Sequence, residues 1–226
     1  HLPLPERRVF ENGIPITIVK VGMQEVVRLD ILFKAGTWCQ SQKLQALFTN
    51  RMLREGTLSF SAKEVAEKLD FYGSWLELSC GAAYSCITLY SLSRYFKETL
   101  ELLESIIKEP LFDADRLETV KEMNVQQFMV NEDRVDFVAH RSLLNMLLGD
   151  THPYGKRTVK EDYLAITPDL LHTFFQEHFH STNCHIFLAG DASSDNINEV
   201  EKVFGLSPFG NHKKDPTVCP TPIFTP

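Results

Sequence analysis

Three histidines close together in the sequence have residue types that could bind a metal. His172, His178 and His180 fall within one short stretch. Ligands on a shared helix face lie three or four residues apart, whereas His172 and His178 are six apart. No cysteine or acidic residue completes the set at a familiar zinc-site interval. We therefore expect surface or hydrogen-bonded core histidines here, and not a metal site.

The chain has five cysteines: Cys39, Cys80, Cys86, Cys184 and Cys219. Their number is odd and no Cys-x-x-Cys pair occurs, so a zinc ribbon or a disulfide scaffold is not indicated. We expect reduced thiols in a cytoplasmic protein. A pairing of Cys80 with Cys86 stays open, because both lie on strand-like segments. An exported form also stays open, although no signal peptide is visible.

Several other functions lack their sequence signatures. No serine lies in a Gly-x-Ser-x-Gly context, and no glycine-rich phosphate loop occurs. The net charge of −7 at pH 7 argues against nucleic acid as a partner. No apolar run approaches the ~20 residues that a membrane-spanning helix needs. We expect neither a nucleic-acid partner nor a membrane partner.

The predicted elements alternate between short strands and amphipathic helices. Asn12-Gly13 predicts a hairpin turn, and residues 27–33 alternate as a half-buried strand does. Strands are also expected over 75–79, 84–90 and 186–190. Helices are predicted over 41–55, 61–71, 94–109, 113–148 with a break near Asn131, from Thr167-Pro168 onward, and over 197–204. This order predicts an α+β domain with a mostly antiparallel sheet and helices packed on one face.

Several motifs, in the same order, resemble the pitrilysin/insulinase-type zinc peptidases, family M16. Residues 46–57 resemble the signature helix of that family. Phe71-Tyr72-Gly73-Ser74, Glu109-Pro110-Leu111-Phe112 and the specific loop His152-Pro153-Tyr154-Gly155 follow in order. The resemblance covers nearly the whole chain. It implies an N-terminal M16-like α+β domain over 1–212 and a second M16-like domain outside this chain. The density of prolines over 213–226 predicts a linker between the two domains.

The metal motif of the family does not match. Its His-x-x-Glu-His positions hold Leu47, Asn50 and Arg51. Leucine has no donor atom, asparagine is no base at neutral pH, and arginine is a fixed cation that repels Zn²⁺. The resemblance places the third ligand, a glutamate, near Gln127 or Phe128, and residues 123–131 contain no carboxylate. We expect no metal cofactor and no catalytic residue.

Arg51 needs an explanation of its own, because it interrupts an apolar stripe on the predicted helix. That stripe consists of Leu44, Leu47, Phe48 and Met52. A cation on a core-facing stripe needs a partner or a path to water. The resemblance aligns Glu122 with an acid that accompanies the zinc site, so Glu122 is one candidate partner. The alternative is that the aliphatic part of the Arg51 side chain packs against the stripe while its guanidinium reaches solvent.

The resemblance also implies a peptide-binding sheet edge beside the motif helix. The matching segment is Ser74-Trp75-Leu76-Glu77-Leu78-Ser79. Its alternation puts Trp75, Glu77 and Ser79 on one face and the two leucines on the other. Trp75 then contacts a bound peptide or packs beneath a second domain, and both alternatives stay open.

The leading expectation is a non-catalytic M16-like domain that binds peptides or regulates an active peptidase. Its expected partners are an active M16-type peptidase subunit or further copies of itself, together with unstructured peptides. A zinc-dependent endopeptidase, as homology alone would indicate, is one alternative. A structural scaffold subunit is another.

Overall fold

The computed structural model describes residues 4–22, 24–150, 152 and 154–211, which form one six-stranded sheet with helices. The strands are Glu6–Val9 (β1), Pro15–Lys20 (β2), Val26–Phe33 (β3), Trp75–Cys80 (β4), Ser85–Leu92 (β5) and Cys184–Gly190 (β6). The α-helices are Gln45–Met52 (α1), Ala62–Phe71 (α2), Phe96–Lys108 (α3), Ala114–Glu132 (α4), Val135–Leu148 (α5), Lys160–Leu164 (α6), Pro168–His178 (α7) and Ser194–Val200 (α8).

The sheet order is β1-β2-β6-β3-β5-β4. β2 and β6 run parallel, and the other neighbouring strands are antiparallel. The predicted α+β architecture with a mostly antiparallel sheet is therefore confirmed. β6 inserts between β2 and β3, so the late part of the chain joins two strands from its beginning. β4 is left at one edge.

One face of the sheet is buried beneath helices. On β3, Leu29 and Ile31 are fully buried, and their neighbours along the strand are more exposed. On α3, the predicted apolar face is buried and consists of Phe96, Leu100, Leu103 and Ile107. Burying one such side chain contributes about 1.5–3 kcal/mol to folding, so this face supplies a large part of the stability.

Several helices begin at the capping signals that the sequence contains. The Ser61 backbone N–H donates to the Glu64 carboxylate at 2.8 Å, and the Glu64 N–H donates to the Ser61 hydroxyl at 3.3 Å. This reciprocal capping starts α2 where the sequence predicts. Thr167 caps α7, with Pro168 as its first residue. The long helical stretch predicted over 113–148 divides at Asp133, close to the expected break.

Helix α1 is shorter than predicted, because it begins at Gln45 and not at Ser41. The Gln45 side-chain oxygen accepts hydrogen bonds from the backbone N–H groups of Ser41 at 3.1 Å and Gln42 at 3.4 Å. Gln40 accepts from the Ala46 N–H at 3.2 Å. These side chains satisfy donors before and within the first helical turn, and Leu44 adopts a left-handed φ of 69°.

The thiols differ in part from the prediction. Cys39 is disulfide-bonded, so the expectation that every cysteine is reduced is wrong. Cys80, Cys86 and Cys184 are free, and the suggested Cys80–Cys86 pair does not form. Burial raises the pKa of each of these three thiols, which keeps them protonated near neutral pH.

Two sequence predictions fall outside the described part of the chain. These are the state of Cys219 and the proline-rich linker over 213–226. Within the part that the structure describes, no helix has the length and apolar character that crossing a membrane requires.

The loop after β3 packs tightly against the β4–β5 turn. The backbone N–H groups of Thr37 and Trp38 donate to the carbonyls of Gly81 and Ala82 at 3.0 and 2.9 Å. A Cβ on Gly36 would lie 2.1 Å from the Ala82 carbonyl oxygen. Only glycine allows this approach, and the contact places Trp38 beside the end of β4.

We predict that Gly36→Ala lowers the free energy of unfolding by about 1–3 kcal/mol, because the methyl group overlaps the Ala82 backbone. Gly81→Ala in the same turn is the matched control. Its Cβ would have its nearest contact at 3.6 Å, an ordinary distance, so we expect a change within about 0.5 kcal/mol. Equal effects in urea denaturation would contradict the tight packing of this loop.

Candidate functional site

Strand β4 presents an open edge. It pairs with β5 alone. In residues 4–22, 24–150, 152 and 154–211, no other segment forms a backbone hydrogen bond with β4. The N–H and C=O groups along the far side of an edge strand are available to another strand. The geometry therefore permits strand addition at this edge.

The side chains of β4 alternate between solvent and core. Trp75 is 65% exposed, and Glu77 and Ser79 are also exposed. Leu76 is buried, and Leu78 is partly buried against the core. The two faces are those that the sequence predicts.

Ser74 does not share this exposed surface. It precedes β4, is buried, and lies 3.3 Å from the Ser91 hydroxyl through its own hydroxyl. Ser74 therefore adds no accessible group to the edge that the sequence predicted to run from residue 74 to residue 79.

Helix α1 packs against both β4 and α7. Its three motif positions share one helix face because they are separated by three and four residues. Leu47 lines a cavity at the end of β4, Asn50 is 1% exposed, and Arg51 is exposed. The structure thus brings the three predicted positions together beside the edge strand.

The side-chain amide of Asn50 lies in the interior of the protein. Neither its side-chain nitrogen nor its side-chain oxygen has a hydrogen-bond partner among the described residues. An unsatisfied buried polar group costs about 1–3 kcal/mol. This position is therefore a source of instability in α1.

Arg51 and Glu122 do not form the suggested pair. Both residues are exposed, and none of the ion pairs among the described residues joins them. The other reading is correct, because Arg51 reaches solvent. Part of the side chain is still shielded from water, and this partial burial lowers the pKa of Arg51.

Arg51 lies near Cys80 and Tyr163. Burial raises the pKa of both groups, and the positive charge of Arg51 partly offsets that increase. The end of β4 is therefore close to a fixed cation.

The residues around the motif do not fit a zinc ion. Phe128 on α4 is buried and its ring lies 5.3 Å from that of Tyr163, which lies 6.0 Å from the ring of Phe48 on α1. Gln127 is exposed. Aromatic rings thus connect α4 to α1 where the resemblance places a carboxylate ligand. Leu47 and Arg51 offer no lone pair that a metal accepts.

The histidines that the sequence singles out do not converge. His172 is exposed and packs against Phe112 with ring centroids 5.0 Å apart, whereas His178 and His180 are buried. His152 accepts a hydrogen bond from the Tyr154 N–H at 3.2 Å within its own turn. Across the described ranges, no three His, Cys, Asp or Glu side chains are grouped so as to hold a metal ion.

A cavity of about 420 Å³ lies at the C-terminal end of β4, and sequence reasoning missed it. Its walls come from the loop before α1, the end of β4 and the loop before α6. Lys43 on one wall donates to the Arg157 carbonyl at 2.7 Å and lies 3.1 Å from Asp162. Trp38 packs edge-on against Tyr154 at 6.0 Å. Segments this far apart in sequence give no local signal of a shared cavity.

We predict that Asn50→Leu raises the free energy of unfolding by about 1–3 kcal/mol, because it removes two unsatisfied polar atoms at similar volume. Thr49→Val is the matched control on the same helix. The Thr49 hydroxyl donates to the Gln45 carbonyl at 2.8 Å. Removing this satisfied hydroxyl should therefore not raise the free energy of unfolding. A destabilised Asn50→Leu protein in chemical denaturation would mean that the amide is satisfied.

We further predict that elemental analysis of the purified chain finds no stoichiometric zinc. The triple variant Leu47→His, Asn50→Glu, Arg51→His restores two ligands and a base. Zinc sites normally use at least three protein ligands, so this variant should also fail to bind zinc tightly in equilibrium dialysis. One bound zinc per chain in either protein would show that α4 or another segment supplies a ligand.

Comparisons with known proteins agree on one family. Residues 165–225 match the family model described as the peptidase M16 inactive domain. The chain is 23% identical over 204 residues to the uncharacterized zinc protease YmxG of Bacillus subtilis, covering 88% of this chain and 50% of that protein. It is 25% identical over 219 residues to the non-peptidase homolog YmxG of Helicobacter pylori, covering 94% and 50%.

A solved structure shows the same fold. The peptidase M16 inactive domain from Pseudomonas fluorescens superposes with a TM-score of 0.83 at 24% identity, covering 95% of this chain and 53% of that one. The chain spans about half the length of the two curated relatives that it matches. The family model, the relatives and the fold agree with the motif order in the sequence, and all of them are similarities to peptidase M16 proteins.

Proposed function

We propose that this chain is a non-catalytic M16 domain that binds unstructured peptides by adding them as a strand along β4. The proposal rests on the open edge of β4, where the side chain of Trp75 is 65% exposed. Strand addition uses backbone hydrogen bonds for affinity and side-chain contacts for selectivity, and it requires no metal. An exposed tryptophan supplies apolar contact with little rotamer entropy to lose.

The motif residues support a binding role over a catalytic one. A metallopeptidase needs a metal-bound water and a base beside it. Leu47, Asn50 and Arg51 provide neither, and Phe128 and Tyr163 pack where the resemblance expects a carboxylate. Zinc-dependent peptide hydrolysis therefore has no support from the residues at this site.

A partner subunit is the second part of the proposal. Helix α5 has no fully buried residue. Several of its apolar side chains are exposed, namely Val135, Leu143, Met146 and Leu147. Exposed apolar surface of this kind is typical of protein interfaces. We propose that α5 packs against an active M16-type peptidase subunit, or against another copy of the chain.

The same helix supports the scaffold function as a second candidate, since an interface on α5 does not require peptide binding on β4. Peptide binding separates the two candidates.

The disulfide at Cys39 bears on the compartment of the protein, because disulfides favour an oxidising environment. We therefore propose the exported form over the cytoplasmic one.

We predict that unstructured peptides change the fluorescence emission of Trp75, and that Trp75→Phe removes this change while Trp38→Phe retains it. Trp75→Ala should weaken peptide binding about two- to tenfold through loss of the aromatic contact. Glu77→Lys should shift the preference from basic to acidic peptide residues opposite that position.

A matched peptide tests the binding mode. N-methylation at alternate residues removes the N–H groups that face β4, so we expect this peptide to lose binding although its side chains are unchanged. If no peptide changes the fluorescence emission of Trp75 when the partner subunit is present, the scaffold function is favoured. Equal binding of the N-methylated peptide would contradict strand addition.

A further inference from the structure

The cavity at the end of β4 adjoins the edge that we propose binds peptides. Cys80 is the last residue of β4 and lines the cavity, as does Leu47 of α1. A peptide strand that pairs along β4 therefore reaches the cavity without changing direction. The cavity volume of about 420 Å³ accommodates a side chain of any natural amino acid.

The cavity is electropositive on an acidic chain. Lys43 and Lys156 line it, and none of its lining residues in the described part of the chain has a carboxylate. Asp162 compensates Lys43 at 3.1 Å, whereas Lys156 has no ion pair within the described residues. Arg51 adds a further cation near Cys80. The net charge of the chain is −7, so this local excess of positive charge is not a property of the whole surface.

The chemistry of the lining lysines decides which group the cavity suits. An ammonium group donates hydrogen bonds and accepts none. Lys43 and Lys156 therefore offer donors and positive charge on the cavity wall, which together suit a group that only accepts. A carboxylate is that group among natural side chains.

The alternation of a strand fixes where the acidic residue lies in the peptide. Glu77 points to the solvent face of β4, and Cys80, three residues later, points to the side of α1. Peptide residues three apart also point to opposite faces and lie about 10 Å apart. A residue opposite Glu77 thus faces solvent, and the residue opposite Cys80 faces the cavity.

We propose that the cavity binds the carboxylate of an acidic peptide residue, and that the edge selects peptides with a basic and an acidic residue three positions apart. The basic residue lies opposite Glu77 and the acidic residue enters between Lys43 and Lys156. This inference rests on the proposed function, because it names the peptides that β4 takes.

The test uses fluorescence anisotropy of the full chain with labelled eight-residue peptides. One peptide carries Lys and Glu three residues apart, in both sequence orders because strand direction is not fixed. Its matched peptides carry Gln or Lys in place of Glu. At low salt we expect the Glu peptide to bind about tenfold more tightly than the Gln peptide, as charge-assisted hydrogen bonds allow.

Variants of the cavity identify the charge responsible. We expect Lys156→Gln to reduce the preference for Glu severalfold, and Lys156→Glu to reverse it in favour of the Lys peptide. Lys97→Gln, on the exposed side of α3, is the control with the same change in net charge and should keep the preference. Lys156 is exposed, so thermal unfolding should confirm that each variant is folded.

The outcomes separate the inference from the proposed function. Equal binding of the Glu, Gln and Lys peptides would overturn carboxylate binding in the cavity and leave strand addition intact. A preference for Glu that Lys97→Gln removes as fully as Lys156→Gln would also overturn it, because net charge would then be the cause. Failure of every peptide to bind would overturn the proposed function as well.

Discussion

The side chain of Gln45 holds the motif helix in place, and the rest of the site depends on it. Gln45 is 2% exposed. Its amide oxygen accepts from the Ser41 N–H at 3.1 Å, and its amide nitrogen donates to the Leu170 carbonyl of α7 at 2.8 Å. One residue thereby joins the loop before α1 to a second helix. This arrangement sets α1 beside β4 and brings Leu47, Asn50 and Arg51 to the end of the edge strand.

The helix keeps its position in the fold although its chemistry differs from that of a zinc site. Tyr163 stands between the rings of Phe128 and Phe48, and packing of this kind stabilises the contact between α4, α6 and α1 without a metal. The edge of β4 does not depend on those side chains, because its hydrogen-bonding groups belong to the backbone. Binding can therefore persist where hydrolysis has no residues to support it.

Local signals in the sequence predict much of the fold. The capping pair Ser61 and Glu64, the Thr167-Pro168 start and the alternation from Trp75 to Ser79 each act within a few residues, and the structure agrees with them. The start of α1 could not be predicted in this way, because Gln45 competes with the helix by binding backbone groups in the preceding loop. The position of β6 between β2 and β3 depends on pairing across more than 150 residues.

The site was predicted in part for the same reason. The three motif positions and the exposed face of β4 follow from periodicity and resemblance. Three other features depend on which distant segments meet. They are the unsatisfied amide of Asn50, the exposure of Arg51 and the cavity beside Cys80. Lys156 and Trp38 line one cavity from positions more than 100 residues apart. No pattern along the sequence links them.

Amide hydrogen exchange of β4 shows whether a peptide adds to this edge without a metal. The chain is measured with and without an unstructured peptide, in the presence of a metal chelator. A peptide that adds as a strand should slow exchange at alternate residues of β4, those whose N–H groups face away from β5, and leave exchange at the others unchanged. Protection that is absent from β4, or that appears only when zinc is supplied, would contradict a metal-free peptide-binding edge.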